Sequence, residues 1–281
     1  MEKYRIVSEQ ITDFMRQLKS EERSQGTIDK YMRDIHAFAA WLGGELVTQE
    51  RAADWKEHLL AAHYAPRTVN SMLAALNRFF AFLGWYDCRT RSLKIQRQVF
   101  RDTGRDLTRE EYLCLVAEAQ QTNQLRLALV METIGAVGIR VSELKYITVE
   151  AAKAGKAVVC LKGKVRTILL PNALCRKLLR YAQKQKTTSG EIFLTRNGTP
   201  LSRKQIWREM KKLCDAVKIA PSKVFPHNLR HMFAQVFYNA THDIAKLADV
   251  LGHANIETTR TYLISTGIEH RNLLESLRLL C

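Results

Sequence analysis

Residues 226–262 read PHNLRHMFAQVFYNATHDIAKLADVLGHANIETTRTY, and the rest of the chain is best read outward from them. Pro226 suits the first turn of a helix, where its missing N–H costs nothing. His227 and Arg230 follow three apart, so such a helix projects both from one face. Gly252 and His253 interrupt the next helical run, and Tyr262 comes nine residues after His253. Metal readings fail on the same stretch. His227 and His231 are spaced as in a zinc-binding helix, but Asn228 stands where that motif needs glutamate. Arg230 would also bring a cation into the metal's shell. A magnesium site needs clustered carboxylates, and Asp243, Asp249 and Glu257 lack that spacing. No metal and no cofactor is expected.

Two segments further upstream carry groups of the same kind. GIRVSEL places Arg140 just after Gly138, with Glu143 three residues on. AVVCLKGKVRTILLP reads as two β-branched strands joined by a short basic turn, in which Lys162 and Lys164 flank Gly163. Singly, each group has an ordinary structural explanation. Arg140 can pair with Glu143, the lysines can be turn residues, His253 can cap a helix end, and Tyr262 can be a buried ring. Together they suit chemistry on a phosphodiester. Guanidinium groups stay charged and make forked hydrogen bonds to phosphate oxygens. A tyrosine hydroxyl is a competent nucleophile once cations favour its phenolate, and a lysine can protonate an alkoxide leaving group.

The charge balance points to the same partner. The chain carries 44 Lys and Arg against 28 Asp and Glu, a net charge of +16. Residues 1–86 are neutral overall, with 11 of each sign, whereas residues 151–200 hold 11 basic side chains and one acidic. A basic block of that density inside a folded region reads as a phosphate footprint. The chain has no apolar run of eighteen residues, and its start lacks the apolar stretch of a secretion signal. The six cysteines are scattered without a CxxC pair, which fits free thiols in a reducing cytosol.

The first 86 residues read as a bundle of about four helices. Ile28, Tyr31, Ile35, Phe38 and Leu42 recur at helical spacing, as do Ala52, Trp55 and Leu59. Pro66 opens a further helix striped by Val69, Leu73, Leu76, Phe80 and Leu83, and Gly84 ends it. Residues 87–106 show no period and read as a basic linker between domains. Residues 107–281 form the second domain, opened by Thr108 as N-cap with Glu111 completing a capping box. In it EIFLT is expected to add a short strand before the turn at Asn197 and Gly198.

In this order, arginine, hairpin lysine, His-x-x-Arg, Gly-His and tyrosine resemble the signature of the tyrosine recombinases, the phage-integrase family. The resemblance covers nearly the whole chain and extends to small two-domain integrases and chromosome-dimer-resolving recombinases. It implies a mostly α fold with a small antiparallel sheet: a four-helix SAM-like core-binding domain, then an α+β catalytic domain. It implies Arg140, Lys162, His227, Arg230 and His253 as catalytic residues, Tyr262 as nucleophile, and Glu143 as support. The family's hairpin motif is shortened here to KGKVR, so Lys164 rivals Lys162 as general acid. His231 is assigned to packing. The implied activity is site-specific recombination through a 3′-phosphotyrosyl intermediate, by a cytoplasmic, nucleoid-associated protein. The implied partners are duplex DNA with paired inverted half-sites, three further copies of the chain, and, as an optional partner, an accessory DNA-bending protein. Arg67, Asn70 and Arg78 on the fourth helix are candidate DNA contacts. An apolar stripe of Ile268, Leu273, Leu274, Leu277 and Leu280 is expected to pack on a neighbouring copy, the alternative being its own domain. Two rival readings remain open on sequence: a type IB topoisomerase-like nicking and closing enzyme, and a non-catalytic DNA-binding protein.

Overall fold

A computed structural model describes residues 4–95, 103–161, 164–263 and 275–277. The chain divides into two units, residues 1–97 and 98–281. Among the described residues of the first unit there are four α-helices: α1 (Ser8–Ser20), α2 (Gln25–Leu42), α3 (Gln49–Ala61) and α4 (Pro66–Phe82). Their ends follow local chemistry. The hydroxyls of Ser24 and Thr48 accept backbone N–H bonds at the starts of α2 and α3, and Gly43 ends α2 in the left-handed region. Phe14, Leu18, Ile35, Phe38, Leu73 and Phe80 form the buried centre. Phe79 and Ala75 are buried as well, because α4 packs on both α2 and α3 and so hides more than one stripe.

Beyond α4 the chain turns back along the same helix. Asn77 donates to the carbonyl of Thr90 at 2.8 Å and accepts from its N–H at 2.9 Å. Asn70 treats Leu93 the same way, at 2.9 and 2.7 Å. Two side-chain amides, two helical turns apart, thus stand in for a neighbouring strand along residues 90–93.

The second unit opens with α5 (Arg109–Gln121) and α6 (Leu125–Val137). The Thr108 and Glu111 capping box forms at the start of α5. A 3₁₀ segment (Val141–Tyr146) and α7 (Val149–Ala154) lead to the antiparallel pair β1 (Lys156–Leu161) and β2 (Lys164–Leu169). One face of this pair, with Ala157, Val159 and Ile168, enters the core, while Val158, Val165 and Leu169 face outward. Then come α8 (Asn172–Lys184), α9 (Arg203–Lys211), α10 (Cys214–Val217), α11 (Pro226–Thr241), α12 (Ile244–Leu251) and α13 (Ile256–Arg260). Helix α6 is apolar nearly all round and sits centrally, in contact with α5, α8 and α11.

The strand expected at EIFLT does not form. That segment makes only single bridges, Thr148 with Glu191 and Leu194 with Pro200. Thr148 already caps α7, and Pro200 has no N–H to carry a ladder onward. Of the C-terminal stripe only Leu277 is described, and it is exposed; Ile268, Leu273, Leu274 and Leu280 lie outside the described residues. No helix among the described residues is long and apolar enough to cross a membrane.

Candidate active site

Four stretches far apart in sequence converge in the second unit. Helix α11 begins at Pro226, which sets His227 at the exposed rim and turns Arg230 inward, where it is 1% exposed. Arg230 Nη1 donates to the Gly138 carbonyl at 2.6 Å, and Nη2 to the Leu251 carbonyl at 2.9 Å. Gly138 caps α6 and Leu251 ends α12, so two helix C-termini, with their partial negative charge, cradle one guanidinium. Gly138 is required there: φ is +63°, and a Cβ would stand 2.3 Å from the Phe233 ring. Burial, then the Arg140 charge, lower the pKa of Arg230, and Tyr262 and Glu143 oppose the shift. Its Nε is buried with no hydrogen-bond partner among the described residues. An unmet buried donor costs about 1–3 kcal/mol, and such donors suit sites completed by a ligand oxygen.

Arg140 opens the 3₁₀ segment beside that cradle. Glu143, 1% exposed, holds it at both ends: Oε2 accepts from the Arg140 backbone N–H at 2.7 Å, and Oε1 from Nη1 at 3.2 Å. The same Oε2 accepts from Arg166 Nη2 on β2 at 2.5 Å. Sequence reading paired Arg140 with Glu143 but missed Arg166, whose partners lie 23 and 84 residues away.

His253 follows α12. Its Nε2 lies 2.9 Å from Arg230 Nη2, and its Nδ1 2.8 Å from the hydroxyl of Thr259 on α13. A guanidinium cannot accept, so Nε2 accepts and Nδ1–H donates to Thr259. Nε2 is thus an acceptor in this state. Burial, then the charges of Arg230, Arg140 and Arg166, push the imidazole pKa down to about 4, which keeps the ring neutral. Thr259 is fully buried, and nothing in its sequence context marks it.

Tyr262 closes the site from the other side. It is buried against Ala234, Leu247 and Leu251. Its ring centroid lies 5.7 Å from His227, 5.2 Å from His231 and 5.7 Å from His253, the last nearly parallel. His231, only 6% exposed, packs on the tyrosine.

A cleft of about 400 Å³ opens over Arg140, His227 and Arg230, and exposed Lys145 and Arg203 also line it. Neither was singled out by sequence, because no motif marks them and their place depends on the fold. The arrangement can bind an anion through its guanidiniums, with the Tyr262 ring packed close by against His227. The expected residues Arg140, Glu143, His227, Arg230, His253 and Tyr262 come together here. Lys162 lies outside the described residues, and Lys164 begins β2. In the first unit, Arg67 is exposed, Arg78 pairs with Glu21 at 2.5 Å, and the Asn70 amide is committed to Leu93. Among the described residues, no three His, Cys, Asp or Glu side chains gather in a way that could hold a metal ion.

Comparison with known proteins identifies the family. Residues 105–267 match the phage integrase family, and residues 11–86 match the phage integrase N-terminal SAM-like domain. The tyrosine recombinase XerA of Pyrococcus furiosus is 30% identical over 285 residues, covering 96% of each chain. Among solved structures, XerH bound to its difH substrate before cleavage matches with a TM-score of 0.70 at 17% identity, over 95% of this chain and 84% of that one. A lambda integrase tetramer bound to a Holliday junction matches with a TM-score of 0.72 at 19% identity, over 90% and 76%. These two likenesses show a shared fold.

Proposed function

The chain belongs to the phage integrase family, enzymes that transfer DNA strands through a tyrosine nucleophile, and from that premise we propose that it is a site-specific recombinase with Tyr262 as the attacking group. The observation that carries this reading is the packing of Tyr262 against His227 and His253, the latter bonded to the buried Arg230, beside a cleft that Arg140, His227 and Arg230 line.

In the proposed reaction Arg140 and Arg230 bind the non-bridging oxygens of the scissile phosphate and stabilise the charge that builds there. The Tyr262 oxygen attacks phosphorus and its proton passes to His227. The bond to the 5′ oxygen breaks, and that oxygen takes a proton from the hairpin, from Lys162 or its rival Lys164. A 3′-phosphotyrosyl link and a free 5′-hydroxyl result. The link keeps the energy of a phosphodiester, so a 5′-hydroxyl of another strand reverses the step without an external energy source. His253 fastens Arg230 before DNA arrives. In this reading residues 1–86 are the core-binding domain and residues 107–281 the catalytic domain, joined by the segment between them. The partner is duplex DNA with inverted half-sites, on which four copies assemble, as lambda integrase does on its Holliday junction. The place of action is the cytoplasm.

The test is a nicked suicide substrate that traps covalent protein–DNA adducts. The wild type should give a band that survives denaturant, and Tyr262→Phe none. Arg230→Ala keeps the nucleophile and should be slower by roughly a hundredfold or more. A band from Tyr262→Phe at the wild-type level would refute the assignment.

A further inference from the structure

We propose that Arg166 is the internal counter-ion of Glu143 and, through it, a positioning residue that leaves the Arg140 guanidinium available to the DNA phosphate; this rests on the recombinase reading above. Glu143 is a carboxylate with almost no access to water, so its charge must be met inside the protein. Two arginines compete for it, unequally. Arg166 makes the shorter contact, 2.5 Å against 3.2 Å for the Arg140 side chain. Arg166 is also the enclosed partner, with its side chain 17% exposed against 44% for Arg140. A charge-assisted bond is stronger when short and shielded. Glu143 is therefore neutralised mainly from the β2 side, while it orients Arg140 through the backbone N–H.

The surroundings hold Arg166 in that place. Its Nη1 donates to the Val250 carbonyl in the last turn of α12 at 3.0 Å, so one side chain ties β2 to the element that leads into His253. Gly252 lets it pass: a Cβ there would lie 2.3 Å from Arg166 Cδ, and φ is +65°. A lysine in its place has one terminal nitrogen and cannot span Glu143 and Val250 with a rigid fork. Without Arg166, Glu143 would turn its full charge on Arg140, drawing that guanidinium out of the cleft and cancelling its charge.

The test is a charge-compensation series on the full chain: Arg166→Gln, Glu143→Gln and the double variant. Melting temperature, DNA affinity and the single-turnover rate of adduct formation are measured for each. Arg166→Gln should melt lower and form adduct roughly tenfold to a hundredfold more slowly, with a smaller loss of DNA affinity, because the other phosphate contacts remain. The double variant should melt higher and cleave faster than Arg166→Gln alone, because removing the carboxylate removes the charge that Arg166 balanced. A purely structural role predicts a double variant at least as impaired as Arg166→Gln, and that result would overturn the proposal. Recovery of stability without recovery of rate would overturn the positioning role. Absence of adduct from the wild type would refute the recombinase reading and the positioning role with it, while the melting series still decides whether Arg166 and Glu143 are counter-ions.

Discussion

Arg230 shows how far one side chain can organise a site. It is a fully buried cation bound by two helix C-termini and by the neutral ring of His253. That neutrality has a measurable consequence. The imidazole pKa falls from 6.5 to about 4 on folding, so the folded state binds fewer protons than the unfolded chain between those values. The stability contributed by neutral His253 is complete above about pH 6.5 and is lost as pH falls toward 4. Urea midpoints should therefore drop over that window, and His253→Gln should flatten this part of the profile. An unchanged profile would mean that the ring is not held neutral. The convergence of Arg140, His227, Arg230, His253 and Tyr262 was legible because residue type and spacing together mark them. Arg166 and Thr259 were not. An arginine in a strand and a threonine in a short helix acquire roles only through partners that the fold brings to them.

Among the elements, the four-helix bundle was the most legible, since helical spacing of apolar residues and capping hydroxyls are local signals. The short extended segments were the least legible. EIFLT has strand composition, but pairing depends on its neighbours, and these are a helix cap and a proline. Helix α4 adds a feature of its own, because Asn70 and Asn77 carry residues 90–93 along its surface. Replacing either asparagine by alanine removes two partly buried hydrogen bonds and should cost about 1–3 kcal/mol in chemical denaturation. The segment should also become more susceptible to limited proteolysis, with α4 intact by circular dichroism. Loss of less than a few tenths of a kcal/mol would show that the amides do not anchor the chain.

At the scale of the molecule the charge is uneven: residues 1–86 are neutral and residues 151–200 strongly basic. If that block meets DNA phosphates, affinity for the duplex should fall steeply and linearly on a log–log plot against salt, with a slope near −0.9 per phosphate neutralised. Replacing exposed lysines and arginines of residues 151–200 by neutral residues should reduce the slope, and a flat dependence would exclude a large phosphate footprint. The most direct test of the whole account is the chemical identity of the bond between protein and DNA. The trapped adduct is digested with nuclease and protease, and the modified peptide is sequenced by mass spectrometry. The account predicts a nucleotide joined through its 3′ phosphate to the oxygen of Tyr262, and a free 5′-hydroxyl on the other DNA end. A nucleotide on any other residue, or a link through a 5′ phosphate, would contradict it.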